Sequence, residues 1–298
     1  MKYIVSFLIL ATMIFYSGCS NNPTNSNPAP IKPAPKDSMK LIDSSTFTMG
    51  AIGSSSDESP THEVTLAKFY IDTTEVAQAE YKSLTGTNPS RFLDSLKPVE
   101  SVSWYDAVLF CNARSKRDRL DTVYSYTSIT GTAYIGCTGL TALQTDFTKN
   151  GYRLPTEAEW EKACRGGTAT SFYWGNGMYT RNDTIAVDSN AVWFNNSQKY
   201  DSRDSLYGTH RTGSKKPNSL RLYDMAGNVQ EWCHDFFGSY SSGAQTNPTG
   251  PSTGTEKVIR GGSWGNQMSA LRSASRLKMA PQNSTQYVGF RCVRKKVN

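Results

Sequence analysis

Apolar residues are concentrated in one run at the amino terminus, and elsewhere they occur in short segments separated by polar turns. The run covers residues 4–15, follows Lys2 and leads into the small residues Ser17 and Gly18 ahead of Cys19. A positive start, a short hydrophobic segment and small residues at a cleavage site are typical of a secretory signal. The run is too short for a comfortable membrane span. The pattern therefore predicts export, with residues 1–18 as the signal peptide.

The residues around Cys19 indicate lipid anchoring. The string Tyr16-Ser17-Gly18-Cys19 resembles a bacterial lipobox, in which the cysteine is lipidated and becomes the new amino terminus. Residues 19–36 are rich in Pro, Asn and Ser and predict an extended tether. We expect a domain held at the bacterial cell envelope, with Ser20 favouring the outer membrane. The alternative is ordinary signal cleavage that leaves Cys19 as a free thiol.

Residues 37–298 alternate between strand-like and helix-like patterns. Residues 46–50 and 64–71 alternate as strands do. Helices are predicted over residues 75–84, 104–116 and 156–166, the last two opened by Ser103 with Asp106 and by Thr156 with Glu159. From residue 167 onward no long helical period is present and short strands with turns dominate. The pattern predicts a single α+β domain with much irregular structure.

Charge does not favour a nucleic-acid partner. The formal net charge of the chain is +7, but three lysines and no acidic residue lie in the first 36 residues. Residues 37–298 therefore hold 29 basic and 25 acidic residues, a net charge of +4. This excess is small and dispersed, so we expect no binding to nucleic acid.

Eight strings, in family order, make the chain resemble the sulfatase-modifying factor family, which includes the formylglycine-generating enzymes. They are residues 47–50 (FTMG), 60–64 (PTHEV), 74–76 (TEV), 98–104 (PVESVSW), 151–161 (GYRLPTEAEWE), 222–232 (LYDMAGNVQEW), 260–264 (RGGSW) and 289–292 (GFRC). The resemblance implies the formylglycine-generating-enzyme fold, a decorated variant of the C-type lectin fold.

The resemblance also implies where catalysis would occur. In the enzymes, two cysteines shortly after the Gly-Gly-Ser motif bind copper and oxidise a substrate cysteine to formylglycine. Here the motif is followed by Trp264, Gly265 and Asn266, and no cysteine lies between Cys233 and Cys292. Thiolate is the soft ligand that copper(I) needs. We therefore expect neither copper nor catalytic residues.

The remaining cysteines suit structural roles. The resemblance matches Cys164 and Cys292 to a disulfide, which an exported protein can form. Cys111 lies on an apolar helix face and is expected to be a buried thiol. The pairing of Cys137 and Cys233 stays open. Zinc is disfavoured because no cysteines or histidines have paired metal spacing.

The resemblance implies two structural calcium sites. The first would use the side chains of Asp224 and Glu231 with the carbonyls of Gly227 and Val229. The second would use the side chains of Asn190 and Asp204 with the carbonyls of Ala191 and Leu206. Carboxylate, amide and carbonyl oxygens are the ligands that calcium prefers. The alternative for the first set is a hydrogen-bonded turn without metal.

A candidate cleft would be lined by Asn266, Arg272 and Arg276, and the guanidinium groups of the two arginines suit an anionic ligand. The alternative is salt bridges to the glutamates of the third helix or bonds to backbone carbonyls. Those glutamates, at positions 157, 159 and 161, favour a structural role at a helix start. Four tryptophans in the motifs are expected in the core rather than on a sugar-binding surface. They are Trp174, Trp193, Trp232 and Trp264.

These observations lead to one hypothesis and one alternative. The hypothesis is a lipid-anchored envelope protein whose non-catalytic domain binds or scaffolds an envelope protein or a glycan. The alternative is a formylglycine-generating or related oxidoreductase that acts on a protein thiol in sulfatase maturation.

Overall fold

The computed structural model describes residues 39–177 and 181–296. Cys19 and the tether lie outside the described residues. The helices are α1 (Gln78–Thr85), α2 (Trp104–Arg117), α3 (Glu157–Arg165) and α4 (Arg181–Asn190). The strands are β1 (Met39–Ile42), β2 (Ser45–Met49), β3 (His62–Leu66), β4 (Phe69–Asp72), β5 (Tyr124–Ser125), β6 (Ser128–Gly131), β7 (Cys137–Thr141), β8 (Gln144–Thr145), β9 (Tyr152–Arg153), β10 (Gln230–Phe236), β11 (Gln245–Thr246), β12 (Lys257–Arg260), β13 (Arg276–Met279), β14 (Val288–Gly289) and β15 (Val293–Lys295).

The strands form small sheets whose neighbours are distant in sequence. One sheet has the order β1–β4–β15–β9, and a second has the order β13–β12–β10–β14. A third has the order β11–β3–β2, and the pairs β5–β8 and β6–β7 complete the described strands. The last strand, β15, is antiparallel to both β4 and β9, so the carboxy-terminal part of the chain lies between two earlier strands.

Two predicted helix starts are confirmed by their capping geometry. The Ser103 hydroxyl accepts the backbone N–H of Asp106, and the Asp106 carboxylate accepts the N–H of Ser103. Thr156 and Glu159 make the same reciprocal pair at the start of α3. Such a capping box satisfies two backbone donors that a helix start otherwise leaves unpaired. Gly166 ends α3 in the left-handed region, as a C-terminal glycine commonly does.

The start of α1 was predicted too early. The helix begins at Gln78 instead of residue 75. The N–H of Val76 donates to the carbonyl of Phe290, and the N–H of Val99 donates to the carbonyl of Val76. These two long-range bonds hold the backbone extended where the local pattern favours a helix.

Two other expectations differ from the structure. The predicted strand over residues 64–71 is divided into β3 and β4, which belong to different sheets. The break falls at Ala67, whose N–H donates to the side chain of Asn247. The helix α4 was not predicted, because Val187 is its one fully buried apolar side chain among residues 183–190 and no apolar stripe marks it.

The core contains the largest aromatic side chains. Trp193, Trp232 and Trp264 are buried, and Trp174 is half-buried against Phe172. The expected core role of these tryptophans is therefore confirmed for the three buried rings. In the described residues, no helix is both long and apolar enough to cross a bilayer.

Candidate functional site

The loop that follows β12 occupies the position where the resemblance places the oxidase cysteines. Two glycines with positive φ, Gly261 and Gly262, turn the chain out of the strand. A Cβ on Gly262 would lie 2.7 Å from a methyl carbon of Leu271 and 2.9 Å from the carbonyl of Ala270. The turn therefore requires glycine and folds the loop closely onto itself.

Asn266 serves as a hydrogen-bond acceptor that organises this loop. Its side-chain oxygen accepts the N–H of Ser263 at 2.9 Å and the hydroxyl of Ser263 at 2.8 Å. The side-chain amide of Gln230 adds a third bond at 3.0 Å. The amide oxygen is thus committed to holding the loop against β10.

An aromatic cluster of Phe92, Tyr207, Trp264 and Tyr287 surrounds the loop. The ring of Trp264 stacks on Tyr287 with their centroids 4.9 Å apart. It meets Phe92 and Tyr207 edge-on, with centroids 5.1 Å apart in both pairs. Trp264 is buried and the other three rings are half-buried, so part of the cluster reaches the surface.

Three exposed leucines lie in the same loops as Phe92 and Tyr207 of the aromatic cluster. Leu93 is 74% exposed, Leu96 is 41% exposed and Leu206 is 42% exposed. The loops that carry them are joined by the Arg211–Asp94 ion pair at 2.9 Å and by the N–H of Thr212, which donates to the carbonyl of Leu96. We call these three leucines with the aromatic cluster the leucine–aromatic surface. Grouped exposed apolar side chains are a mark of interaction sites.

Two cations border the leucine–aromatic surface. The guanidinium of Arg91 lies 5.7 Å from the ring centroid of Phe92, and the ammonium of Lys97 lies 5.8 Å from it. Partial burial lowers the pKa of Lys97. The surface combines apolar contact area with positive charge. Trp264 was expected from sequence only as a core residue, and the other three rings and the leucines were not found, because they lie in loops with no periodic pattern.

The predicted anion-binding cleft is wrong, because both arginines are already paired. Arg272 binds the two carboxylate oxygens of Glu58 at 2.6 and 2.7 Å. Arg276 binds the carboxylate of Glu157 at 2.6 and 2.8 Å and also donates to the carbonyls of Asp57 and Gly238. Both side chains are nearly buried. The alternative is confirmed for Arg276 in both its parts, and for Arg272 in its carbonyl bond to Ser269, while the carboxylate that pairs with Arg272 is Glu58 and not a glutamate of the third helix.

The glutamates of α3 have the structural role expected of them. Glu161 is paired with Arg165 and Arg260, and Glu159 is paired with Arg153. Despite complete burial, the two arginines beside Glu161 hold its pKa below the usual range. These carboxylates form buried ion pairs inside the domain.

The predicted disulfide between Cys164 and Cys292 is absent, and both residues are buried free thiols. The Cys164 thiol donates to the carbonyl of Met225 at 3.4 Å and lies 3.6 Å from the hydroxyl of Ser273. The sulfur atom facing Cys292 is that of Cys111, at 3.7 Å. The pairing was wrong because the fold places Cys292, the residue before β15, against Cys111 of α2 and not against the end of α3.

The first predicted calcium set fits only in part. Arg291 donates to both carboxylate oxygens of Glu231 at 2.6 and 2.7 Å, and the indole of Trp160 donates to one of them at 2.8 Å. Both carboxylate oxygens of Glu231 are therefore already engaged, Oε2 by two donors and Oε1 by one. Asp224 does have one, because its Oδ1 is buried without a hydrogen-bond partner.

Glu75 faces Asp224 and was not found from sequence. Its Oε2 is also buried without a partner, while the side-chain amide of Asn228 donates to its Oε1. Burial and the neighbouring Asp224 raise the pKa of Glu75 well above the usual range. Two buried carboxylates with unpartnered oxygens need a cation or a shared proton. In residues 39–177 and 181–296, no three His, Cys, Asp or Glu side chains form a metal-binding group.

Each residue of the second predicted calcium set makes a hydrogen bond to its own local partner. The Asn190 amide donates to the carbonyl of Ala186, and the carbonyl of Ala191 accepts from Asn196. Asp204 is exposed, and its carboxylate accepts the N–H of Leu206. The carbonyl of Leu206 lies 3.2 Å from a ring nitrogen of His210. Calcium at this set stays a prediction.

Comparisons with known proteins agree with the fold and the motifs. Residues 25–296 match the family model of the Sulfatase-modifying factor enzyme 1-like domain. The chain is 31% identical over 269 residues to the Chaperone protein LppX of Paenibacillus barcinonensis, with 87% of this chain and 86% of that protein covered. It is 29% identical over 290 residues to the Formylglycine-generating enzyme of Bos taurus, with 88% and 75% covered. Among solved structures, the Treponema denticola variable protein 1 matches with a TM-score of 0.71 and 29% identity over 87% of this chain and 95% of that chain.

Proposed function

This chain belongs to the sulfatase-modifying factor enzyme 1-like family and has its α+β fold, and we propose that it is a lipid-anchored binding module of the cell envelope. It holds a protein partner through the leucine–aromatic surface and does not oxidise thiols. The family contains enzymes, so this proposal rests on the residues at the site and not on the fold.

One observation carries the proposal. At the loop where the resemblance places the copper-binding cysteines, the side chain present is Asn266, whose oxygen already accepts three hydrogen bonds. The cysteines of the described residues are buried elsewhere, and burial raises the pKa of Cys164 to about 12. A thiol with such a pKa is neither a good copper ligand nor a nucleophile at neutral pH. The loop thus has no group that could perform the family's oxidation.

Two features support a binding role. The leucine–aromatic surface exposes apolar side chains that nothing in the described chain covers, which is the usual property of an interaction surface. The LppX relative, which aligns over 87% of this chain and 86% of its own length, is named a chaperone, and a chaperone acts by binding other proteins. The signal-like run and the lipobox-like string of residues 1–36 support export and anchoring, which would put this surface outside the cytoplasm.

The enzymatic alternative is tested with a peptide that carries the sulfatase-type sequence Cys-x-Pro-x-Arg. The purified chain is incubated with this peptide, copper, oxygen and a thiol reductant that supplies the other two electrons, and a hydrazide probe reports aldehyde. We expect no aldehyde, while a formylglycine-generating enzyme in parallel yields it. Aldehyde formation by this chain would overturn the proposal.

The binding role is tested in cells with a photoreactive amino acid at position 93 or 206. A matched control carries it at Ile129, which is 39% exposed and lies in β6, outside the leucine–aromatic surface as defined. We expect a discrete protein adduct from positions 93 and 206 only. The same adducts from all three positions, or none, would contradict a specific surface. Anchoring is tested separately, because Cys19→Ala should release the protein from membranes.

A further inference from the structure

A groove of about 560 Å³ lies between β1, β2 and the end of α3, away from the leucine–aromatic surface. One part of its lining is residues 40–43, which are the end of β1 and Asp43. A second part is residues 45–48 of β2. Lys162, Arg165, Gly166–Ala169 and Leu220 form the opposite side. A volume of this size is within the range of binding pockets.

Consecutive residues line this groove, and that pattern identifies a strand edge. Successive side chains of a strand point to opposite faces, so a pocket on a face touches alternate residues. Here four consecutive residues of each segment line the groove, so it follows the backbone. Both strands are terminal in their sheets, β1 in β1–β4–β15–β9 and β2 in β11–β3–β2. An edge strand presents unpaired N–H and C=O groups that can pair with another extended chain.

The groove carries uncompensated positive charge. The Lys162 ammonium donates to the carbonyls of Asp43 at 2.8 Å and Ser45 at 3.2 Å, which leaves one of its three N–H donors. No carboxylate of the described residues forms an ion pair with it, and burial lowers its pKa. Lys40 is exposed at the groove.

The other charges of the lining are already paired. Arg165 is neutralised by Glu161, and Asp43 pairs with Lys68 at 3.1 Å. Lys40 and Lys162 therefore leave the groove with a net positive charge. Phe47 and Leu220 are half-buried and add apolar surface to it.

We propose that this groove binds an extended, acidic segment of a partner protein by strand addition to the edge of β1 or β2. Main-chain hydrogen bonds would give affinity, acidic side chains would meet Lys40 and Lys162, and apolar side chains would meet Phe47 and Leu220. The chain's own tether is a poor occupant, because residues 19–36 contain two lysines and no acidic residue. The inference does not depend on the leucine–aromatic surface.

The test uses a short fluorescent peptide in which glutamate and valine alternate and both termini are blocked. Its fluorescence anisotropy is measured as the full-length chain is added in detergent. A second peptide has prolines at its centre, which removes N–H donors that strand addition needs. The variants Lys40→Glu and Ala169→Trp alter the exposed rim of the groove. Lys149→Glu is the matched control, since it reverses the same charge at an exposed position outside the groove.

We expect the acidic peptide to bind and the proline peptide to bind weakly. Lys40→Glu and Ala169→Trp should raise Kd by about tenfold, while Lys149→Glu should leave it nearly unchanged. Hydrogen exchange should slow at the amides of β1 or β2 when peptide is bound. Absence of binding, equal binding of the two peptides, or equal effects of Lys40→Glu and Lys149→Glu would each overturn the proposal. If the acidic peptide does not bind, we would assign the exposed Lys40 and the short edge strands β1 and β2 to protection against aggregation.

Discussion

Arg291 closes a buried ion pair on Glu231 with two hydrogen bonds of 2.6 and 2.7 Å. The guanidinium also donates to the carbonyls of Asp72 and Tyr223, and the indole of Trp160 donates to the same carboxylate. Both charged side chains are essentially inaccessible to solvent. This pair joins the motif at residues 222–232 to the motif at residues 289–292, through two side chains 60 positions apart in the chain.

Removing one member of this pair should be costly. Arg291→Met leaves the Glu231 carboxylate buried without its counter-charge, and we expect a loss of about 3–5 kcal/mol in the free energy of unfolding. The double variant Glu231→Gln with Arg291→Met should recover much of that loss, because position 231 then no longer carries a buried charge without its counter-ion. Urea denaturation of the three proteins measures both effects. Equal stability of the wild type and Arg291→Met would contradict the pairing.

Asp235 should make stability depend on pH above neutrality. Burial and the nearby Glu157 raise the pKa of Asp235 to about 8. Between an unfolded value of about 3.9 and that pKa, the folded state keeps a proton that the unfolded state releases, so stability falls by about 1.4 kcal/mol per pH unit as pH rises.

The window for this measurement is bounded by His234. Burial lowers the pKa of His234 to about 3, so this group contributes a slope of opposite sign up to its unfolded pKa of about 6.5. From about pH 6.5 to 8 the Asp235 slope is not opposed by His234. Asp235→Asn keeps an acceptor for the N–H of Glu157, a bond of 2.9 Å, and should flatten the profile. Parallel profiles of the two proteins would refute the assignment.

Calcium should act through Asp224. Its unpartnered Oδ1 and the unpartnered Oε2 of Glu75 are buried, and a cation would satisfy both. We expect calcium to raise the Tm of the wild type, a chelator to lower it, and Asp224→Asn to remove the response. Asp224 has a φ of 56°, a conformation that asparagine also tolerates, so the variant tests the charge.

The control for the calcium experiment is Asp204→Asn, which alters the second predicted set at an exposed position. If this variant alone loses the response, calcium binds at the second set. If the wild type does not respond to calcium or chelator, Asp224 and Glu75 share a proton instead.

The exported protein should contain a disulfide between Cys111 and Cys292, whose sulfur atoms lie 3.7 Å apart. Closing a loop between residues 181 positions apart contributes about 5 kcal/mol in the chain-entropy model. Peptide mapping without reductant should recover this pair, and Cys111→Ser should lower the Tm. Cys137→Ser is the control, and a map that links Cys164 to Cys292 would restore the pairing that the structure contradicts.

The family, the fold class and two helix starts were predictable from sequence, whereas the partners of the buried charges and thiols were not. A capping box such as Ser103 with Asp106 depends on hydrogen bonds between residues three positions apart, so a short stretch of sequence is enough to recognise it. The absence of cysteine between residues 233 and 292 is likewise a property of the sequence. Three other features depend on residues that are distant in sequence. They are the approach of Cys111 to Cys292, the ion pair of Arg291 with Glu231, and the break between β3 and β4 at Ala67. Only the packing of the sheets brings those residues together, because long-range pairing is determined by topology and burial and not by local propensity.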